Sequence, residues 1–361
     1  VNFSANFTET FQKAQYSVPP MSAPLAIQAF TKSIGKSPEK VFDKFNPNAV
    51  KAASIGQVHE AWLNGQKLAV KIQYPGVADS VKTDLNLMKP FAKRVLNAEM
   101  QEIEPYLKEV ENKLLEETDY SIELKYSLEF SEACKDLPGI LFPRYYPEYS
   151  SKRVITMDWM EGIHMKDFLA NNPTKELLNT LAQRYWDFYE YQVHVLRKVN
   201  ADPHPGNFLF REDGSIVVLD FGCTKVLHPD LYDGYFSLAD PTLFQDRERC
   251  EPVLRQLEIL RPNDSPEKVT YLIGLFSRLI DLITKPYQEK TFYFNQQSYY
   301  DQINEVGIEI SKLRELRGSR EFLFLNRTYF GIFAMLQQMD ATVDCTPKYL
   351  DFYQNFVVPQ E

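Results

Sequence analysis

The residues best equipped for chemistry lie in two neighbouring segments, Ala201-Asp202-Pro203-His204-Pro205-Gly206-Asn207 and Val217-Val218-Leu219-Asp220-Phe221-Gly222. The Asp of the first segment can orient an attacking hydroxyl, and the Asn that closes it can lend an amide oxygen to a metal ion. The second segment is an apolar run that ends on a carboxylate, as a strand does when it delivers a metal ligand. Between them, Asp213-Gly214 marks a tight hairpin turn, flanked by Phe208–Phe210 and Ser215–Leu219 as its strands. Asn207 and Asp220 therefore stand at the two ends of one hairpin and can converge on a single ion. Their oxygens are hard ligands, suited to Mg2+ bound together with substrate phosphates. Upstream, Leu68-Ala69-Val70-Lys71-Ile72 places a cation on a strand. Alone, such a lysine is an ordinary solvated edge residue. In order with Asp202, Asn207 and Asp220, it reads as a partner for phosphate oxygens.

These side chains need elements to hold them. Val58, Ala61 and Leu63, then Leu68, Val70 and Ile72, alternate on either side of Asn64-Gly65. That dipeptide supplies two positive φ angles, so the lysine strand is the second arm of a hairpin. A helix over Pro24 to Ile34 precedes it. Pro105 opens a further helical stretch with Leu107, Val110, Leu114, Thr118 and Ile122 at helical spacing. On a wheel of about 100° per residue, Glu117 falls inside this apolar stripe and Glu123 on the opposite side. A carboxylate in an apolar stripe needs a cation, and Lys71 is the natural one. The competing reading leaves Glu117 at the stripe margin, reaching water. Ile140–Phe142 and Arg153–Met157 read as two more strands of an antiparallel sheet. Five strands require another before the hairpin, and Phe42–Val50 is too irregular to assign. From Asp158 onward the pattern is helical apart from the small hairpin. Ser265-Pro266-Glu267 reads as a helix start. The layout is α+β: a strand-rich lobe over residues 1–157 and a helical lobe over 158–361.

Composition narrows the function classes. The 361 residues carry 40 Lys and Arg against 49 Asp and Glu, a net charge of -9 with no basic stripe, which argues against nucleic acid as a partner. Four cysteines, Cys134, Cys223, Cys250 and Cys345, are scattered without a paired spacing. A zinc site or disulfide framework is not expected, and a reducing cytoplasm fits. The most apolar run, Phe322 to Leu336, is interrupted by Arg327. No run reaches the roughly 18 uncharged apolar residues of a membrane span, and no signal peptide is seen. The chain starts at Val1 rather than Met, as a fragment would.

Further segments complete a pattern. Ala52-Ala53-Ser54-Ile55-Gly56-Gln57-Val58-His59, Ala69-Val70-Lys71-Ile72-Gln73-Tyr74-Pro75-Gly76-Val77, Glu117-Thr118-Asp119-Tyr120-Ser121-Ile122-Glu123, the Asp202 to Asn207 loop and Asp220-Phe221-Gly222 occur in order. Together they resemble the UbiB (AarF-domain) atypical kinase-like family over about residues 25–225. Leu325-Asn326-Arg327-Thr328 extends the likeness into the helical part. The resemblance implies a bilobal protein-kinase-like fold with an alanine-rich loop in place of the glycine-rich one. It implies binding of ATP with Mg2+, ATPase or phosphotransferase activity, and support of quinone or other isoprenoid-lipid metabolism. By the family's pattern, Lys71 meets the nucleotide phosphates and Glu117 is its ion-pair partner. Glu123 is a second acid without a settled role. Asp202 is the catalytic-loop aspartate, and Asn207 and Asp220 are the metal ligands. Ala52, Ala53, Ser54, Ile55, Gly56 and Val58 form the phosphate-side loop, and Asp158 and Met160 belong to the hinge that meets adenine.

The chain departs from that pattern in places. Lys51 stands where the alanine triplet usually begins; of two readings, reaching a phosphate or simple solvation, solvation is expected. Asn200 replaces a usual His, and the N-terminal K-x-G-Q segment is absent. His204, between two prolines, is expected to shape its loop, while His59, His164, His194 and His228 show no ligand spacing. Cys223 to Leu227 leaves little room between Asp220-Phe221-Gly222 and a helix start at His228-Pro229-Asp230, too short for a peptide platform. The expected ligand beyond the nucleotide is a lipid or quinone precursor, with peripheral membrane contact. Two alternatives stay open: a small-molecule kinase, and a nucleotide-binding scaffold without turnover.

Overall fold

The structure is a computed structural model, and it describes residues 20–80 and 118–348 apart from Ser54, Pro241, Arg314 and Leu316, with isolated positions between 81 and 117. The helix expected after Pro105, with Leu107, Val110, Leu114 and Glu117, lies outside the described residues.

Helix α1 (Ala23–Ile34) begins with Pro24 in its first turn and ends on Gly35 in a left-handed conformation. It lies against an antiparallel sheet made of β1 (Lys44–Phe45), β2 (Lys51–Ala53), β3 (Gly56–Leu63), β4 (Gln66–Gln73) and β6 (Val154–Asp158). The order is β1-β3-β4-β6, with β2 also paired to β3. The β3–β4 turn has positive φ at Asn64 (51°) and Gly65 (79°), as the sequence dictates. Strand alternation then sorts β4. Leu68, Val70 and Ile72 are buried with Phe30 of α1, whereas Ala69 is buried on the other face with Tyr120, Tyr145 and Ile155. Lys71 shares the parity of Ala69 and so projects away from α1. Five strands are present because Lys44–Phe45 and Lys51–Ala53 both pair with β3.

Helix α2 (Tyr120–Ala133) carries the first correction. The expected helix does not run through Thr118 in one phase. Thr118 lies in a turn and Asp119 is an N-cap, its carboxylate accepting from the Ser121 N–H at 3.1 Å. The break resets the wheel at Tyr120, so a phase counted along the stretch after Pro105 does not apply to Glu123. The second correction concerns β5 (Ile140–Leu141). It is not a strand of the N-terminal sheet; it pairs in parallel with β9 (Ile216–Val218), which is antiparallel to β8 (Phe208–Phe210). The segment before residue 157 thus lends one strand to the helical lobe.

The helical lobe is organised around α4 (Lys175–Tyr191), capped by the Thr174 hydroxyl. Helix α3 (Met165–Ala170) precedes it. After α4 the chain makes a π-helical turn, Gln192–Leu196, and enters β7 (Lys198–Asn200). Strand β7 pairs with β10 (Thr224–Val226), and α5 (Pro229–Ser237) follows at once. Helices α6 (Arg247–Gln256), α7 (Pro266–Gln288), α8 (Gln297–Lys312) and α9 (Arg320–Gln338) complete the lobe. Ser265 caps α7 as its Ser-Pro-Glu start requires. Trp186, Phe294 and Phe333 meet in the centre of the core. No described helix is long and apolar enough to cross a membrane.

Candidate functional site

Lys71 is built into the site by register. It pairs with Val58 on β3 and Ile155 on β6. Its side chain therefore leaves the middle of the sheet toward α2. There its ammonium donates to Glu123 Oε1 at 2.9 Å and Oε2 at 3.0 Å, and to Asp220 Oδ2 at 3.0 Å. Lys71 and Glu123 are each 6% exposed, while the Asp220 side chain keeps 31%. The carboxylate that sequence reasoning put on the far side of its helix is thus the partner of the lysine. Glu117, expected in that role, lies outside the described residues. The Asp119 cap was the signal to read: Asp followed by Tyr-Ser marks a helix start and a new phase. Gln73, on the face of Lys71, donates to the Thr118 carbonyl at 2.8 Å and fixes where α2 begins.

The charges sustain one another. Burial pulls the Lys71 ammonium down, but the Asp220 and Glu123 carboxylates outweigh it and raise its pKa well above the ordinary lysine value. Burial pushes the Asp220 carboxyl up, but Lys71 and the Gly222 N–H, which donates to Oδ1 at 2.7 Å, bring it below the usual carboxylate range. Asp220 is therefore ionised. Phe221 stacks on Phe130 of α2 at 4.7 Å between ring centroids, which ties the aspartate loop to the helix that carries Glu123.

At the other end of the hairpin, Asn207 Nδ2 donates to Asp202 Oδ2 and to the Asp202 carbonyl, each at 3.0 Å. Its carbonyl accepts from the Leu219 N–H at 2.9 Å, so β8 and β9 hold the two loops in register. His204 shapes the turn between them, its Nδ1 accepting from the Gly206 N–H. The structure therefore brings Lys71, Asp202, Asn207 and Asp220 to one cleft between the lobes.

The alanine-rich segment divides. Ala52 is exposed and Ala53 half-buried on β2. Ser54 lies outside the described residues. Ile55 is buried in the sheet core and its carbonyl accepts from the Tyr74 N–H. A Cβ on Gly56 would come within 2.3 Å of the Ile72 carbonyl oxygen, so this glycine serves the close approach of β3 to β4. Val58 stands opposite Lys71. At the hinge, the Asp158 carboxylate accepts from Gln66 and Tyr146, and its amide donates to the Arg144 carbonyl. The Trp159 amide donates to Lys67, which makes half-buried Met160 the next position along. Lys51 is exposed, yet its ammonium lies 3.2 Å from His164 Nε2 across the cleft. Sequence reasoning set both aside as bland, and no local spacing links them.

The donor set fits Mg2+ carried in with a nucleotide. Among the described residues no three of His, Cys, Asp and Glu gather as a self-sufficient metal site. One ionised carboxylate and one amide, both half-buried, are too few to hold the ion alone, so phosphates would have to complete the coordination.

Comparison with known proteins identifies the family. The model of the ABC1 atypical kinase-like domain matches residues 13–254. The chain belongs to the ABC1 atypical kinase-like family. Among its relatives is the mitochondrial atypical kinase COQ8 of Saccharomyces cerevisiae, 29% identical over 336 residues, covering 90% of this chain and 65% of the yeast protein. Another is the chloroplastic ACTIVITY OF BC1 COMPLEX KINASE 1 of Arabidopsis thaliana, 32% identical over 219 residues, or 59% of this chain and 32% of the plant protein. The chain thus spans less than two thirds of either ABC1 relative. Among solved structures, the Mycobacterium tuberculosis protein Rv3197 in complex with erythromycin superposes with a TM-score of 0.69 over 99% of this chain and 89% of its own, at 21% identity. That likeness establishes the shared fold: α+β and bilobal, a small sheet above a helical lobe.

Proposed function

We propose that this ABC1 domain binds Mg-ATP between its lobes and hydrolyses it or transfers its terminal phosphoryl group, in the service of quinone or isoprenoid-lipid metabolism. The observation that carries the reading is one buried ammonium held jointly by Glu123 and by Asp220, the more exposed of the two. A lysine so placed can exchange its contact with Asp220 for phosphate oxygens while Glu123 keeps it aimed. Asp220 and the Asn207 amide oxygen would hold Mg2+. The ion, when bound, neutralises charge on the transferring phosphoryl group. Asp202, oriented by Asn207, would position a hydroxyl or water and accept its proton. Ala52, Ala53 and Val58 would line the phosphate and base side, and the Asp158–Met160 backbone would meet adenine. Lys51 would close the cleft over the phosphates through His164.

The acceptor follows from what comes after Asp220-Phe221-Gly222. Strand β10 is tied to β7, and α5 starts at Pro229. No extended segment is left to dock a peptide, so the acceptor would be water or a small amphipathic molecule. A lipid or quinone precursor would be an acceptor of that amphipathic kind. Contact with a membrane would then be peripheral. A steady-state ATPase assay, with and without quinone-precursor-like phenols and anionic liposomes, tests the whole reading. Turnover that needs Asp202 and rises with either addition is expected. Robust Asp202-dependent labelling of a defined protein in a cytosolic mixture would instead restore a protein-kinase role.

A further inference from the structure

Asn200 ends β7, two residues before Asp202, and is 1% exposed. Its side chain touches both loops of the cleft. Oδ1 accepts from the Asp202 N–H at 3.2 Å, and Nδ2 donates to the Asp220 carbonyl at 2.8 Å. The two partners are main-chain groups of opposite kind, so they fix which end of the amide is oxygen and which is nitrogen. The main-chain N–H of Asn200 donates in turn to Gln192 Oε1 at 2.9 Å, and Gln192 Nε2 donates to the Phe188 carbonyl at 3.2 Å. Gln192 is fully buried. It opens the π-helical turn that ends at Arg197 with φ of 55°. π-helical turns and non-glycine residues at positive φ are uncommon, and both tend to persist where a site requires them. Here they lie in the few residues that deliver Asn200 to the cleft.

We propose that Gln192 and Asn200 are a positioning pair that sets the separation between the Asp202 loop and the Asp220 loop. The pairing of β7 with β10 brings the two loops side by side, with Asn200 opposite Thr224. The Ala201 N–H carries the contact one residue further, donating to the Cys223 carbonyl at 2.8 Å, and the Asn200 carboxamide extends it to the Asp202 amide and the Asp220 carbonyl, where strand pairing no longer reaches. The pair rests on the Mg-nucleotide reading for its consequence, because Asp220 and Asn207 can share one ion only if the loops keep their spacing.

The test compares Asn200→Leu, similar in size without hydrogen bonds, with Asn200→His, different in shape but with one donor and one acceptor. Gln192→Met provides an independent variant at the other end of the relay. Hydrogen exchange in the unliganded protein reads the spacing directly. Faster exchange at the Asp202 amide and through residues 219–224 is expected in Asn200→Leu and, to a lesser extent, in Gln192→Met, with near-normal protection in Asn200→His. Mg2+ titrations in the presence of ATP should then show affinity lowered about 10-fold in Asn200→Leu and within about threefold of normal in Asn200→His, the range for groups that orient metal ligands. ATP affinity in EDTA should change less than about twofold in either, since Lys71 remains in place. Normal exchange and normal Mg2+ affinity in Asn200→Leu would overturn the pair, as would a better result for Leu than for His, which marks a volume effect. If the wild-type protein bound no nucleotide, the proposed function would fall, while the exchange data would still decide the pair.

Discussion

Two buried ionic clusters, one inside the helical lobe and one between the lobes, use the same kinds of groups in different ways. In the helical lobe, Arg317 places Nη1 2.6 Å from Asp264 Oδ2 and Nη2 2.8 Å from Asp264 Oδ1, and also donates to Glu315 at 2.8 Å and to the Ile259 carbonyl. Asp264 receives the Arg261 N–H as well. Its side chain is 5% exposed and that of Arg317 is 1% exposed. In the cleft, Lys71 is a point charge on a flexible stem, and one of its carboxylates, Asp220, faces solvent. A planar guanidinium bound two-to-two to a carboxylate has one good geometry, whereas an ammonium keeps its energy when it trades one oxygen for another. The first cluster fastens the α6–α7 connection to the segment before α9. The second is suited to partner exchange, which is why it serves as a site.

Substitutions can break this contrast. The largest effect is expected at Asp220. Mg-ATP should raise the melting temperature of the wild-type protein by mass action, and Asp220→Asn should abolish the Mg2+-dependent part of that rise in a thermal-shift titration. An equal rise in the variant would remove Asp220 from the metal site. Next comes Arg317→Met, which removes the two-to-two partner of a buried carboxylate and leaves it Lys268 at 3.6 Å and the Arg261 N–H; it should cost about 3 kcal/mol of stability in urea unfolding, with nucleotide affinity of the folded fraction unchanged. A loss of affinity with normal stability would erase the distinction between the clusters. Glu123→Gln should lower turnover about 100-fold and Glu117→Gln less than about threefold, because Lys71 needs its helix carboxylate aimed at it. The reverse order in steady-state kinetics would return the partner role to Glu117.

The smallest effect is a matter of pH. Hydrogen bonds from Arg317 hold the Asp264 carboxyl at about 2, below its ordinary value. A depressed carboxyl gives stability that is present above the unfolded pKa, near 4, and lost as pH falls toward 2. Asp264→Asn should therefore lose less stability than the wild type between those limits, a difference of about 2 °C or more in melting temperature.

Much of the site was legible because its signals are local. Asn64-Gly65 and Asp213-Gly214 name their turns, and strand alternation decides that Lys71 faces away from Leu68, Val70 and Ile72. The order of Lys71, Asp202, Asn207 and Asp220 along the chain names the candidates, while the contacts of Lys71 with Asp220 and of Asn207 with Asp202 come from the fold. Illegible features depended on a phase or on a distant partner. One capped break at Asp119 reversed the wheel for Glu123, since a helical phase survives only while the helix is continuous. Ile140–Leu141 reads as a strand, but nothing in two residues says which sheet receives it. Asn200 was visible as an unusual residue, yet its task depends on Gln192, which only the turn after α4 brings near.

The stacking of Phe130 on Phe221, together with the pairing of β5 to β9, gives α2 a mechanical character. Its C-terminal end is riveted to the helical lobe, while its N-terminal end is held by the Asp119 cap and the Gln73 contact to Thr118. The helix is a strut moored at both ends, one to each lobe. Glu123 sits in the first turn, close to the end moored to the sheet, so the aim of Lys71 inherits the anchorage of both ends.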